Sequence, residues 1–205
     1  MNWTNLSLNK YNQIKDVFLD AEYTDEDRLL AQVQIIFEKD PLKLSMKELH
    51  KYIGELKFFS EKVPKMKLKD SYNLGGNVYI LKKNLKDFTV AQWIDFQNFI
   101  KEGTDTDNYA NILSIFFFPK GEEEYAEGYD VEQVRSDINN YLSVADALSI
   151  SSFFLNYRKV LLIRSLLYTR KMTLKNPLTR KQRKAVKKEM RRLLKTTLAG
   201  DSPHS

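Results

Sequence analysis

Apolar residues recur every three or four positions in several stretches of the chain, which is the spacing of one face of an α-helix. The first stretch follows Ser7, a residue type that caps helix N-termini. Its apolar positions are Leu8, Tyr11, Ile14 and Phe18. A second stretch follows Thr89, with Gln92 three residues later in the spacing of a capping box. Its apolar positions are Val90, Trp93, Phe96 and Ile100.

These two stretches open a longer internal repeat. The order of caps and apolar positions recurs from Leu6/Phe88 onward, and it returns after a short insertion at Ser45/Asp130. Each half is predicted to form three helices. They start at Ser7, near Thr24 and at Ser45 in the first half, and at Thr89, near Thr106 and at Asp130 in the second. Few identities coincide, so two unrelated amphipathic segments would align in a similar way. Because the caps coincide as well as the apolar positions, the pattern favours a duplication.

The segment between the halves has a different character. Residues 70–81 place aromatic and β-branched residues around Gly75 and Gly76, which predicts a short β-hairpin packed on the helices. Residues 62–69, with Pro64, are predicted to be an exposed linker. After the second half, residues 151–168 predict a long apolar helix. The pair Asn176-Pro177 then breaks the chain before a basic helix over about residues 179–198.

The predicted fold class is therefore mainly α. It consists of two pseudo-repeated helical lobes joined by a short β-hairpin, with a long C-terminal apolar helix and a basic amphipathic helix. The predicted domains are residues 1–69 for the first helical repeat, 70–87 for the hairpin linker, 88–168 for the second repeat with its packing helix, and 169–205 for the basic tail.

Charge divides the chain unevenly. From Thr169 onward, 12 basic residues face 2 acidic ones, which gives +10. The rest of the chain has 21 basic and 25 acidic residues, which gives −4. Such a division predicts that the tail meets a negatively charged partner.

The basic helix is the strongest local signal for binding. Val186, Met190 and Leu193 form an apolar stripe at helical spacing, and cations occupy the other faces. The alternatives are a protein partner, nucleic acid, an anionic membrane surface, and a solvated helix docked by its stripe. The residues predicted to bind protein or nucleic acid are Arg180, Lys181, Arg183, Lys184, Lys187, Lys188, Arg191, Arg192 and Lys195.

Motifs for chemistry are missing from the sequence. The chain has no cysteine and only two histidines, His50 and His204, so neither a thiol nucleophile nor a zinc site is predicted. A calcium loop starting at Asp105 fails because its sixth position, where glycine is needed, is Ala110. No phosphate-binding glycine pattern follows Gly76. We therefore expect a protein that is not an enzyme and has no cofactor or metal.

No membrane partner is predicted either, because the basic helix contains no tryptophan or phenylalanine that would insert into a bilayer. The apolar stretch over residues 150–167 contains Arg158, Lys159 and Arg164, which are costly at mid-membrane, so a buried helix is the better interpretation. The N-terminus has no basic region followed by an apolar stretch, so no signal peptide is expected. Together with the absence of cysteine, these features favour a cytoplasmic location.

Three short sequence motifs in the chain resemble a pattern found in a group of small tailed-phage proteins. They are the hairpin motif Gly76-Asn77-Val78-Tyr79, the helix start Thr89-Val90-Ala91-Gln92 and the segment Phe117-Phe118-Pro119-Lys120-Gly121. The pattern is similar to tail assembly chaperones or baseplate-assembly proteins of phages that infect the Bacteroidetes. The resemblance covers roughly residues 6–168, and the basic tail is not part of it.

The resemblance implies a non-catalytic role in tail morphogenesis or virion structure. Such a protein would hold an aggregation-prone partner, such as a long helical tape-measure protein, or join an assembly ring. Its partners would be other tail or head–tail proteins or further copies of itself, in the host cytoplasm or within the virion. The alternative function is nucleic-acid binding through the basic C-terminal helix, with little sequence preference.

Overall fold

The computed structural model describes residues 1–84, 88–121, 130–175 and 188, with side chains up to Val160 and at Lys188. It is mainly helical with a small antiparallel sheet, as the sequence predicts at this level. The helices are α1 Leu8–Leu19, α2 Asp25–Phe37, α3 Met46–Glu55, α4 Val90–Glu102, α5 Tyr109–Ser114, α6 Val131–Tyr141 and α7 Val144–Lys175. The 3-10 helices among the described residues are Pro41–Lys43, Leu56–Ser60 and Thr106–Asn108.

Most of the predicted helix starts are confirmed. Full capping boxes begin α2 at Thr24, α3 at Ser45 and α4 at Thr89, where the cap side chain and the third helical residue bond each other's backbone N–H. Ser7 caps α1, and Asp130 caps α6. These bonds satisfy N–H groups that have no partner within the helix.

The cap predicted near Thr106 lies one residue earlier, at Asp105. Asp105 is the capping residue there, since its side chain accepts a hydrogen bond from the Asn108 backbone N–H. The turn that it caps is 3-10, and α5 follows as a helix of only six residues. An aspartate outcompetes a threonine as a cap by a small margin, so the choice depends on the local geometry.

The predicted hairpin is confirmed, with β1 over Ser71–Leu74 and β2 over Asn77–Leu81. Both turn glycines have positive φ, +62° at Gly75 and +92° at Gly76, as a two-residue hairpin turn requires. A third strand that the sequence did not predict, β3 over Phe117–Pro119, pairs antiparallel with β2 and gives the order β1–β2–β3. The second half thus supplies a strand where the repeat pattern continues an apolar helix.

Residues Met1–Ser151 form one compact unit, here called the body. Within it α1 packs against both α2 and α6. One apolar cluster surrounds Trp3, whose ring meets the edges of Phe58 and Phe59 at centroid distances of 5.3 Å. Fully buried aromatic side chains of the second half lie elsewhere in the body: Phe96, Phe116 and Phe117.

The long helix α7 begins at Val144 rather than at residue 151. The earlier start has a clear cause, because the Ser143 hydroxyl accepts a hydrogen bond from the Asp146 backbone N–H and Val144, Ala145 and Ala147 are fully buried. A second unit comprises Ser152–Ser205. Its described part is the continuation of α7, where the rings of Phe153 and Tyr157 stack at 6.3 Å. The predicted break at Asn176-Pro177 and the predicted basic helix lie outside the described residues, apart from Lys188.

Candidate functional site

The basic residues predicted to bind a partner are described at one position only. Lys188 is helical and exposed. The other eight lie outside the described residues, so the prediction that they bind protein or nucleic acid stays a prediction. The surfaces that the structure does describe belong mainly to the body.

An open polar cleft of about 470 Å³ lies between α1, α6 and the segment that carries α5. Residues from both halves of the chain line it: Asn9, Asn12, Gln13, Asp16, Asp107, Ala110, Asn111, Glu132, Arg135, Ser136 and Asn139. Most are amides or charged groups. No feature of the sequence predicted this cleft.

A ladder of side-chain amides joins α1 to α6 along the cleft. Gln13 Nε2 donates to Asn9 Oδ1 at 3.0 Å, and Asn9 Nδ2 donates to Asn140 Oδ1 at 3.0 Å. Asn140 Nδ2 in turn donates to Ser136 Oγ at 3.3 Å. Each helix contributes residues four positions apart, which lie on one helical face. The ladder fixes the first helix of one half against the third helix of the other.

Backbone bonds reinforce the same junction. The Leu8 N–H donates to the Leu142 carbonyl oxygen at 3.1 Å, and the Val144 N–H donates to the Leu6 carbonyl oxygen at 2.9 Å. Leu6, Leu8, Leu142 and Val144 are all essentially buried. The start of α1 is therefore tied to the end of α6 by both backbone and side chains.

Two carboxylates of the cleft are held by cations. Asp107 forms an ion pair with Lys15, and Glu132 forms one with Arg135. The Arg135 guanidinium also lies over the Phe99 ring, 5.2 Å from its centroid. With those charges paired, the amides dominate the remaining hydrogen-bonding capacity. Amides both donate and accept, as the groups of a polypeptide backbone do.

A buried carboxylate anchors the hairpin to α6. Asp137 is 4 % exposed and accepts hydrogen bonds from Tyr79 Oη at 2.5 Å, Asn77 Nδ2 at 3.0 Å and Gln133 Nε2 at 2.9 Å. Three donors satisfy the acceptor sites that burial would otherwise leave unpaired. The cluster is structural: it positions the sheet. A sequence signal existed, because an aspartate interrupts the apolar face of α6.

Large apolar side chains are exposed at several places on the body, among them the end of α1 and the start of α4. At the end of α1, Phe18 is 51 % and Leu19 is 75 % exposed, and Tyr23 follows in the next turn. On α4, Val90 is 76 % and Ile94 is 51 % exposed. Clustered exposed apolar groups are typical of protein-contact surfaces.

A cationic row runs along residues 62–69. Lys62, Lys65, Lys67 and Lys69 are exposed, while Met66 between them is half-buried and its backbone N–H donates to Ser149 Oγ at 2.8 Å. The exposure predicted for this segment is confirmed for its lysines. Alternation of this kind places the charged side chains on one edge of an extended segment.

Close to this row, a further lysine meets an acidic partner. Lys83 Nζ lies 2.6 Å from Asp70 Oδ1, and this hydrogen bond lowers the pKa of the Asp70 carboxyl below its ordinary value. The pair neutralises the positive charge of Lys83, which is not part of the row.

The structure describes few groups suited to metal chemistry. His50 is exposed, with Nδ1 2.8 Å from the Met46 carbonyl oxygen. Within residues 1–84, 88–121 and 130–160, no three His, Asp or Glu side chains come together as metal ligands would. None of the described helices is long and apolar enough to cross a bilayer.

Comparison with known proteins gave no match. No family model matches this chain, and neither a curated protein nor a solved structure matches it. Its function is therefore inferred from the surfaces described above.

Proposed function

We propose that this protein works by binding other proteins, as a non-enzymatic tail-morphogenesis factor or virion structural protein of a tailed phage. The observation that carries the proposal is the exposed apolar surface at the end of α1, formed by Phe18 and Leu19. Burying such side chains in a partner yields about 25 cal/mol per Å² of apolar area. The resemblance to tail assembly proteins supports tail or head–tail proteins as the partners, met in the host cytoplasm or within the virion.

The amide-lined cleft supports the same class of function. Side chains such as Gln13 and Asn139 offer donors and acceptors to the polar side chains or the loop backbone of a partner without requiring a defined sequence. A factor that holds a long helical partner needs that kind of tolerance. The cleft and the apolar end of α1 share one helix, so a single partner segment can reach both.

We also propose that the two halves are copies of one three-helix unit. Support comes from helix starts that recur at the predicted offsets: α1 with α4, and α3 with α6. The middle helices, α2 and α5, start in corresponding regions but differ in length. In this proposal α1 and α4 are equivalent helices that have acquired different neighbours.

Co-expression with the products of neighbouring genes tests the protein-binding proposal. A tail or head–tail protein is expected to co-purify, and the double variant F18E/L19E is expected to abolish the complex. The control is Leu42→Glu, since Leu42 is also highly exposed but lies in the 3-10 turn Pro41–Lys43. If no neighbouring product forms a complex, or if the control variant loses it equally, the proposal is wrong.

Nucleic-acid binding is the second candidate, and the cationic row favours it. Lys62, Lys65 and Lys67 are exposed, and the +10 tail adds charge that the sequence alone records. Binding through phosphates would weaken steeply with salt and would show little sequence preference. Truncation after Leu174 is expected to abolish DNA binding measured by fluorescence anisotropy, and K65Q/K67Q is expected to lower the salt slope by about 2. Unchanged binding by the truncated chain would reject the role of the tail.

A further inference from the structure

The first helix of each half meets a different environment, and the inference drawn from this difference rests on the duplication proposed above. On α1, Leu8 is 1 % exposed. Asn9 bonds Asn140, and Asn12 Nδ2 donates to the Thr106 carbonyl oxygen at 3.2 Å. This face of α1 is therefore covered by the second half of the same chain.

The equivalent face of α4 is uncovered. Residues 82 positions after Leu8, Asn9 and Asn12 occupy it: Val90, Ala91 and Ile94. All three are exposed, and two of them are large and apolar. Where α1 carries two asparagines that bond to the second half, α4 carries alanine and isoleucine. The substitution of apolar for polar residues on an exposed face indicates a contact that the single chain does not make.

The surface that would complete such a contact exists in the first half. On α6, the ladder residues Ser136 and Asn140 face α1. Their equivalents on α3, 85 positions earlier, are Lys51 and Glu55. None of the residues of α3 is buried, and Lys51 is exposed.

We propose that a second copy of this chain docks its α3 and the start of its α2 onto the uncovered face of α4. The contact reproduces between two molecules the packing that joins α1 to α6 within one. Its occupant is a copy of this chain because only the repeat supplies a helix related to α6 by the same offset.

Charge complementarity supports this occupant. Gln13 and Ser136 lie on opposite walls of the internal cleft. Their equivalents are Asp95 on α4 and Lys51 on α3 of the neighbouring copy, which carry opposite charges. Within the body neither residue belongs to any ion pair among the described side chains.

Apolar complementarity points the same way. Asn12 contacts the backbone at Thr106 in the internal packing, and the equivalents of these residues are Ile94 and Thr24. Beside Thr24 in the chain stands Tyr23, an exposed aromatic residue. Docking would bury Ile94 and Tyr23 against each other.

The two contacting surfaces differ, so the association is head-to-tail. Each copy offers α4 to one neighbour and α3 to another, and such heterologous contacts close into a ring or grow into a filament. A ring is the form that a tail or baseplate component would take under the proposed function.

Sedimentation velocity over a range of concentrations tests the contact. The full chain is expected to associate as concentration rises, and Ile94→Glu is expected to weaken the association constant by roughly tenfold or more. The matched control is Phe18→Glu, because Phe18 and Ile94 are both 51 % exposed. A chain that sediments as a monomer throughout, or a control that weakens association as much as Ile94→Glu, would overturn the inference.

A charge exchange makes the test specific. Asp95→Lys and Lys51→Asp are each expected to weaken association because they place like charges together, and the double variant D95K/K51D is expected to restore it. Failure of the double variant to recover would contradict this geometry. These outcomes are separable from partner binding, since F18E/L19E tests a different surface by co-purification.

Discussion

The middle helix of the first half and its counterpart in the second half began from similar sequence patterns and reached different structures. α2 runs for 13 residues behind a capping box at Thr24, whereas α5 has six residues and is followed by β3. Ile36 in α2 and Phe118 in β3 are equivalent at the offset of 82 residues, and both are buried. The two positions are therefore both buried although they lie in different secondary structures.

The hairpin explains this difference. β2 has one neighbour in β1 and gains its second neighbour from β3, with Leu81 paired to Phe117 and Ile80 to Phe118. A two-stranded hairpin is marginal in water, and a third strand with a buried face stabilises it. Pairing with β2 therefore overrides the helical spacing in the second half, and the first half has no hairpin at that point in its chain.

The largest expected effect comes from removing a buried ring of β3. Phe117 is fully buried, and its ring meets the edge of Tyr72 at 5.3 Å, so Phe117→Ala is expected to lower the free energy of unfolding by about 3–5 kcal/mol. At the equivalent position of α2, Ile35 is half-buried, and Ile35→Ala is expected to cost less than about 2 kcal/mol. Urea denaturation measures both. Equal losses would remove the claimed difference between the halves.

A smaller effect is expected at Asp137, the buried carboxylate by which α6 holds the hairpin. Asp137→Ala removes the acceptor of the buried Tyr79 hydroxyl and of the exposed Asn77 amide, which costs about 1–3 kcal/mol. Tyr79→Phe should then cost less in the Asp137→Ala background than alone. A double-mutant cycle by urea denaturation checks this coupling, and additive losses would show that the bond contributes nothing.

The two threonines predicted as caps should respond differently. Thr24→Ala removes a capping box and is expected to cost about 1 kcal/mol. Thr106 Oγ1 is buried without a hydrogen-bond partner among the described residues, so Thr106→Ala should change stability by less than about 0.5 kcal/mol. Thermal unfolding of both variants tests the pair. A larger loss at Thr106 would restore it as a functional cap.

The smallest expected effect depends on pH. Hydrogen bonds from Thr24 lower the pKa of Asp27, and hydrogen bonds from Ser45 lower the pKa of Glu48. Because both values are depressed on folding, their contribution is present above the ordinary pKa and is lost as the pH falls below about 4. The capping box of α4 contains Gln92 in place of a carboxylate, and an amide does not titrate.

Amide hydrogen exchange measured between about pH 6 and 3 distinguishes the two carboxylate capping boxes from the amide capping box. After correction for the intrinsic rate, protection at the starts of α2 and α3 should fall relative to that at the start of α4. A parallel decline at all three starts would mean that the carboxylates play no special part.

Much of the fold was predictable because local rules decided it. Caps at Ser45 and Thr89, helical spacing and the Gly75-Gly76 turn are short-range signals, and the corresponding elements are confirmed. β3 was not predictable, since a strand of three residues is specified by its pairing with β2. The early start of α7 was missed because only Leu142 and Ser143 separate it from the end of α6, and its cap at Ser143 was not recognised.

The candidate sites divide in the same way. The basic tail was predicted from the charge distribution of the sequence, and it lies outside the described residues except at Lys188. The cleft was invisible in the sequence because it forms between α1 and α6, which are more than 100 residues apart. The pairing of Asn9 with Asn140 could not be predicted from the sequence, because it depends on the fold that places Asn9 Nδ2 3.0 Å from Asn140 Oδ1.

Disulfide trapping tests the central claim most directly. The claim is that α4 packs against α3 of another copy in the way that α1 packs against α6 within one chain. The protein has no cysteine, so introduced thiols report only on the chosen positions. Asn9→Cys with Asn140→Cys in one chain should cross-link internally, and a mixture of Ala91→Cys and Glu55→Cys chains should form a covalent dimer of one chain of each kind. Internal cross-linking without that mixed dimer would contradict the equivalence of the two junctions.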